Sequence, residues 1–145
     1  MNLKELLLFF VLLFNDAMLH AQGTIVAQIS NARNDQGECQ VCLYNNATSF
    51  KGDGGTPVRC MQTPVKNGTS EARFDNVPQG VYAVMVFHDV NRNKKLDQNF
   101  LGIPKEGYGA SGNKLPFASA PTFEDNKFTL PDKSTITLRI RLRNL

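Results

Sequence analysis

After residue 21 the chain alternates apolar and polar residues with a period of two in a series of short segments. Thr24–Ser30 (TIVAQIS), Glu38–Tyr44 (ECQVCLY), Val58–Val65 (VRCMQTPV), Glu71–Phe74, Asn126–Leu130 and Thr135–Leu142 (TITLRIRL) each read as a β-strand. Val81–His88 (VYAVMVFH) is apolar on both faces, which suits a strand in the middle of a sheet. In the second segment Cys39, Val41 and Leu43 share a face. In the last, Ile136, Leu138, Ile140 and Leu142 point inward while Arg139 and Arg141 point to solvent. Pro64 confines the end of the third segment to a sheet edge, because it lacks the N–H that a ladder needs. Turns are expected at Lys66-Asn67-Gly68 and Pro78-Gln79-Gly80, and a Gly- and Asn-rich loop over Asn45–Thr56, with Phe50 as its anchor. Seven strands without a helical period predict an all-β, antiparallel sandwich.

One segment breaks this economy. Asp89–Thr122 has neither period, yet it carries Leu96, Phe100, Leu101, Ile103, Tyr108, Leu115 and Phe117. A connection of that length in a compact domain is functional or disordered, and this apolar content predicts an ordered loop folded over the sandwich.

Residues 1–21 are of another kind. A short start with Lys4 and Glu5 leads into the apolar run Leu6–Phe14, and Ala21 precedes Gln22. The run falls well short of the ~20 residues that span a bilayer and fits the core of a secretory signal peptide cleaved after Ala21. The expected product is a single domain, 22–145, exported to the periplasm, the medium or the cell surface, with no transmembrane segment left. The 145-residue chain is 41% apolar and 20% charged, with 11 Gly, 7 Pro and a net charge of +3. This excludes collagen, coiled coil and a disordered chain, and the charge is too small and scattered for nucleic acid.

Export places three cysteines in an oxidising compartment, where two of them are expected to pair. Cys39 and Cys42 are three apart on one strand and point to opposite faces, which opposes a local bridge. Either could reach Cys60, and Cys42–Cys60 is the favoured pair. Loss of 1–21 also removes His20 and leaves His88 as the only histidine, so a zinc site built on several imidazoles is excluded.

The start of the long loop carries candidate chemistry. In Asp89-Val90-Asn91-Arg92-Asn93-Lys94-Lys95-Leu96-Asp97, side-chain oxygens stand at relative positions 1, 3, 5 and 9, with the Lys95 carbonyl available at position 7. A loop that wraps Ca²⁺ uses this spacing. Asn99 or Glu106 could complete the shell. The usual Gly at position 6 and Glu at position 12 are Lys94 and Phe100 here. The competing reading is an Asx-rich turn held by its own side-chain to backbone hydrogen bonds. His88 and Asp89, adjacent on a strand end, point apart and do not make a catalytic pair. Ser111 lacks the full nucleophile-elbow pattern.

Residues 74–113, FDNVPQGVYAVMVFHDVNRNKKLDQNFLGIPKEGYGASGN, resemble the signature of the domain of unknown function 2141 family of exported bacterial proteins. PTFEDNKFTL (121–130) and the last strand resemble it too, so the likeness runs from about Thr24 to Leu142. Asn76–Val84 is more loosely similar to transthyretin-like and carboxypeptidase-regulatory-like sandwiches. The resemblance implies a seven-stranded sandwich of transthyretin-like or immunoglobulin-like kind and implies no established activity. The family loop has Gly near Lys94, a departure that weighs against metal. The related hydroxyisourate hydrolases need several His and a C-terminal Tyr-Arg-Gly-Ser, whereas this chain ends Leu142-Arg143-Asn144-Leu145.

Two functions follow as expectations. The first is a non-enzymatic exported module that binds a protein or small molecule, with Phe100, Ile103, Pro104 and Tyr108 locking the loop or lining a recognition surface. The alternative is a small-ligand binder or hydrolase using His88, Asp89, Glu106 and Tyr108 in a cleft under the loop.

Overall fold

The computed structural model describes residues 22–52 and 54–145. The expected signal peptide, 1–21, lies outside the described residues. Eight strands follow in order: β1 Gln22–Ser30, β2 Glu38–Tyr44, β3 Arg59–Pro64, β4 Ser70–Pro78, β5 Gly80–Asp89, β6 Tyr108–Ala110, β7 Phe128–Leu130 and β8 Thr135–Arg141. One sheet has the order β4-β1-β8. The other has β3-β2-β5-β6, with β7 paired to the start of β5. Their inner faces bury Ile25, Phe74 and Ile140 against Val41, Leu43, Val84 and Val86, so the architecture is a sandwich around one apolar core.

All seven expected strands form, and three features differ from the expectation. The eighth strand, β6, lies inside the long loop. Tyr-Gly-Ala is too short to show a period, and it is held in place by its partners. It pairs with β5 through Phe87↔Tyr108 and Met85↔Ala110. Gly109 faces inward where a Cβ would come within 2.8 Å of Ile140 Cγ2, so the second sheet can close onto β8 only at a glycine. The sandwich is also not wholly antiparallel. β1 and β8 run parallel, Ile25 beside Ile136 and Ile29 beside Ile140, which periodicity cannot reveal because it carries no strand direction. Finally, two short helices form among the described residues, α1 Ala47–Lys51 and α2 Phe123–Asn126. Asn46 caps α1 by accepting from Ser49 N at 2.9 Å, and Gly52 ends it with φ 84°. Thr122 caps α2, so Asn126 closes a helix and β7 starts at Phe128.

These helices matter for the site. Alternation along β5 sends Val84 and Val86 into the main core and Ala83 and Met85 to the outer face of the second sheet. There Phe50 from α1 and Phe123 from α2 pack over Ala83 and Ala110, their rings edge-on with centroids 6.0 Å apart. After β8 the chain crosses between sheets: Leu142 N donates to Ser30 O in the first, and Arg143 exchanges two backbone hydrogen bonds with Tyr108 in the second. As Pro64 predicts, β3 is an edge strand. It is tied to β2 by the Cys42–Cys60 disulfide, between directly paired positions with Cα atoms 4.1 Å apart.

Candidate functional site

The loop after β5 is organised by its own acceptors. Asp89 is fully buried; its Oδ1 accepts from Asn93 N at 3.1 Å and its Oδ2 from Lys94 N at 2.7 Å. Asn91 Oδ1 accepts from Asn93 N, and Asn93 Oδ1 from Lys95 N at 2.9 Å. The amides of Asn91 and Asn93 then donate to the two oxygens of Asp97, at 2.7 and 2.9 Å. Arg92 and Lys94 adopt left-handed backbone, φ 59° and 61°, which turns successive N–H groups inward. Asp89, Asn91, Asn93 and Asp97 are thus gathered in one turn, to which Lys95 contributes its N–H. Their oxygens face N–H groups, the arrangement of consecutive Asx turns. Among the described residues no group of three or more His, Cys, Asp or Glu is placed to hold a metal. A cation would have to displace these hydrogen bonds.

Glu106 closes the loop from below. Buried beside β6, it accepts from Val90 N with Oε1 and from Asp97 N with Oε2, both at 3.0 Å. His88 points the other way, into the end of the core. Its Nε2 meets Gln36 O at 2.6 Å, so that nitrogen carries the proton, and Nδ1 is buried without a partner. His88 and Glu106 do not meet in a cleft; each ties one loop to the sandwich. Ser111 is used in the same way, with its Oγ donating to Asn126 O and accepting from Val84 N. Cys39, the unpaired cysteine, is buried in the core, and burial pushes its thiol up to about 11.

Beyond Asp97 the loop becomes a small hairpin. Lys105 N donates to Asp97 O, Asn99 N to Ile103 O and Gly102 N to Asn99 O, with Gln98 bridged to Pro104. Asn99 Oδ1 accepts from Leu101 N and Ile103 N and braces the tip from inside. Phe100 stands on that tip with 95% of its surface exposed, so it does not lock the loop as its apolar character led one to expect. Phe117, on the next stretch of chain, is 93% exposed. Between hairpin and stretch lies a cleft of about 480 Å³. Met85, Phe87 and Tyr108 line its floor; Leu101, Ile103 and Phe117 its sides. His88, Asp89 and Glu106 do not line it. Of the expected site residues, Ile103, Pro104 and Tyr108 reach this cleft. Sequence reasoning passed over Met85, Phe87 and Phe117, whose only signal was an apolar residue on the second face of a strand or in a loop.

Among the described residues no helix is long and apolar enough to cross a membrane. No curated protein matches the sequence. Among solved structures, a pilus-presented adhesin, Spy0125 (Cpa), is similar over 87% of this chain at 12% identity and a TM-score of 0.30. The likeness spans 28% of the adhesin, and at that score it carries no functional argument. The model of a bacterial family matches residues 27–137, from within β1 to within β8, and takes in the Asx loop, the hairpin and the cleft. The chain therefore belongs to that family, described as uncharacterized protein conserved in bacteria (DUF2141).

Proposed function

We propose that the protein is an exported, non-enzymatic binding module whose recognition surface is the cleft between the hairpin and the Phe117 segment. The observation that carries this reading is the division of labour among the loop residues. Of the four groups the enzymatic alternative would use, Asp89, Glu106 and His88 are spent on backbone hydrogen bonds away from the cleft, and Tyr108 alone of them lines it. The cleft itself is predominantly apolar and of ligand-binding size. Export is supported by the apolar run before Ala21 and by the disulfide, which suits an oxidising compartment. Calcium, expected from the loop spacing, is a separate question that a thermal melt decides.

The test is titration with a neutral solvatochromic dye. The native protein is expected to bind it, and Ile103→Glu, a change at a half-open wall position, to abolish binding while the melting temperature stays within a few degrees. A native protein that does not bind the dye, or an Ile103→Glu variant that binds equally, overturns the reading. Hydrolysis of generic ester substrates that is lost in His88→Gln would restore the alternative of an enzyme.

A further inference from the structure

The rim of the cleft is unusual in two respects. Phe117, on its side, and Phe100, on the hairpin tip next to it, are 93% and 95% exposed. Phe100 is also not at the end of a loose loop, because the Asn99 side chain and the Gln98–Pro104 bridge fix the tip on which it stands. Together with the exposed Leu101 and Ile103, the two rings form an apolar patch of the kind that marks an interaction site. A protein partner is met by a closely matched surface; two single protruding rings beside an open cleft suit a medium that can flow around them.

Charge names the medium. Residues 89–122 contain five cationic side chains, Arg92, Lys94, Lys95, Lys105 and Lys114, against three acids. All five cations are exposed. Two of the acids, Asp89 and Glu106, are buried on backbone N–H groups, and the third, Asp97, is turned onto the amides of Asn91 and Asn93. The outward charge of the loop is therefore positive. The backbone N–H of Lys105 donates to Asp97 O at the base of the hairpin, and Lys94 and Lys95 precede it, so cations stand behind an apolar tip. Protruding apolar groups with cations one step behind match the layering of an anionic bilayer, where acyl chains lie beneath phosphate headgroups.

We infer that the hairpin tip at Phe100 and the neighbouring Phe117 dock this protein on the surface of an anionic lipid bilayer. The inference rests on the cleft region being a recognition surface, and it names the partner. Phe100 and Phe117 enter the acyl boundary, and Lys94, Lys95 and Lys105 meet the headgroup phosphates. Attachment is peripheral and reversible, since two rings bury far less apolar surface than a spanning helix.

The experiment is co-sedimentation of the chain lacking 1–21 with vesicles of phosphatidylcholine containing phosphatidylglycerol, and with phosphatidylcholine alone. Binding is expected to the anionic vesicles only and to weaken in 0.5 M NaCl, roughly a tenfold loss or more. Phe100→Ser is expected to lower partitioning roughly tenfold, the worth of one buried aromatic side chain. Lys95→Glu with Lys105→Glu is expected to abolish it. These positions are exposed, so the variants are expected to melt like the native protein. Absence of binding to anionic vesicles, or binding unaffected by Phe100→Ser, overturns the inference, as does equal binding to neutral vesicles. A concentration-dependent dimer that is lost in Phe100→Ser, without vesicle binding, would give the tip to a second copy of the chain. Phe100 does not line the cleft, so dye binding by the native protein and by Phe100→Ser reports on the cleft separately. If dye binds and vesicles do not, only the lipid assignment fails.

Discussion

The backbone N–H of Lys94 donates to the buried carboxylate of Asp89 at 2.7 Å, across a turn in which Lys94 itself has φ 61°. The shorter of the two backbone bonds to Asp89 thus depends on a residue in the left-handed region, where a side chain costs about 1 kcal/mol relative to glycine. Lys94→Gly is expected to leave the melting temperature unchanged or to raise it slightly, because relief of that strain is opposed by the greater freedom of the unfolded chain. Asp89→Ala, by contrast, leaves the N–H of Lys94 without an acceptor and that of Asn93 with Asn91 Oδ1 alone, and should cost about 2 kcal/mol. Denaturant unfolding of both variants measures the difference, and equal midpoints would remove Asp89 from its place as the organiser of the loop.

The same geometry bears on calcium. The oxygens of Asp89, Asn91, Asn93 and Asp97 already accept hydrogen bonds, and two of the groups aimed at Asp97 are amide N–H₂ donors. A cation would repay their loss only with a fuller shell of oxygens. The expected result is a melting temperature that does not move between EDTA and about 10 mM CaCl₂, with MgCl₂ as control. A rise specific to Ca²⁺, lost in Asp97→Ala, would instead make the loop a calcium site.

How much of this could be seen in the sequence depends on the range of the forces involved. β1, β2 and β5 were legible because a half-buried or fully buried strand writes its faces into every second residue. β6 was not, since three residues containing Gly109 carry no period and their place is set by Met85, Phe87 and Arg143, all distant in sequence. The spacing of Asp89, Asn91, Asn93 and Asp97 was legible as a set of inward oxygens. Whether they face a cation or the chain's own N–H groups was open, because a tight turn brings both to the same centre. The cleft was hidden for a simpler reason. It is assembled from segments far apart in sequence, among them those around Phe50, Met85, Leu101 and Phe117, and an apolar loop residue such as Phe100 reads as packing until its surroundings are known.

The disulfide should stabilise chiefly by restraining β3. Cys42 and Cys60 are 18 residues apart, and closing a loop of that size is worth about 3 kcal/mol in the chain-entropy account. Reduction, or Cys42→Ala with Cys60→Ala, is expected to lower stability by about that amount without displacing the β5–β6 edge. Amide hydrogen exchange should show β3 exchanging faster while β5 stays protected. Uniform loss of protection across both sheets would mean that β3 holds the fold together and is more than a pinned edge.

Cys39 gives the protein a dependence on alkaline pH with a definite sign. Burial raises its thiol from 9.0 to about 11 in the folded state, so the folded protein keeps a proton that the unfolded chain releases near pH 9. Stability from this group is complete below pH 9 and is lost as pH rises towards 11, because the unfolded state there binds fewer protons than the native one. Tyr44 and Tyr82, also raised by burial, add a loss of the same sign from a starting value of 10.0. The window between pH 9 and 10 therefore belongs mainly to Cys39. Denaturant midpoints measured at half-unit steps from pH 8 to 10.5 are expected to fall in the native protein, and Cys39→Ala should flatten the fall below pH 10. A thiol reagent at pH 8 should modify the folded protein far more slowly than the unfolded chain. Rapid modification of Cys39 in the folded state, or a pH profile unchanged by Cys39→Ala, would place the thiol within reach of solvent and out of the core beneath β2.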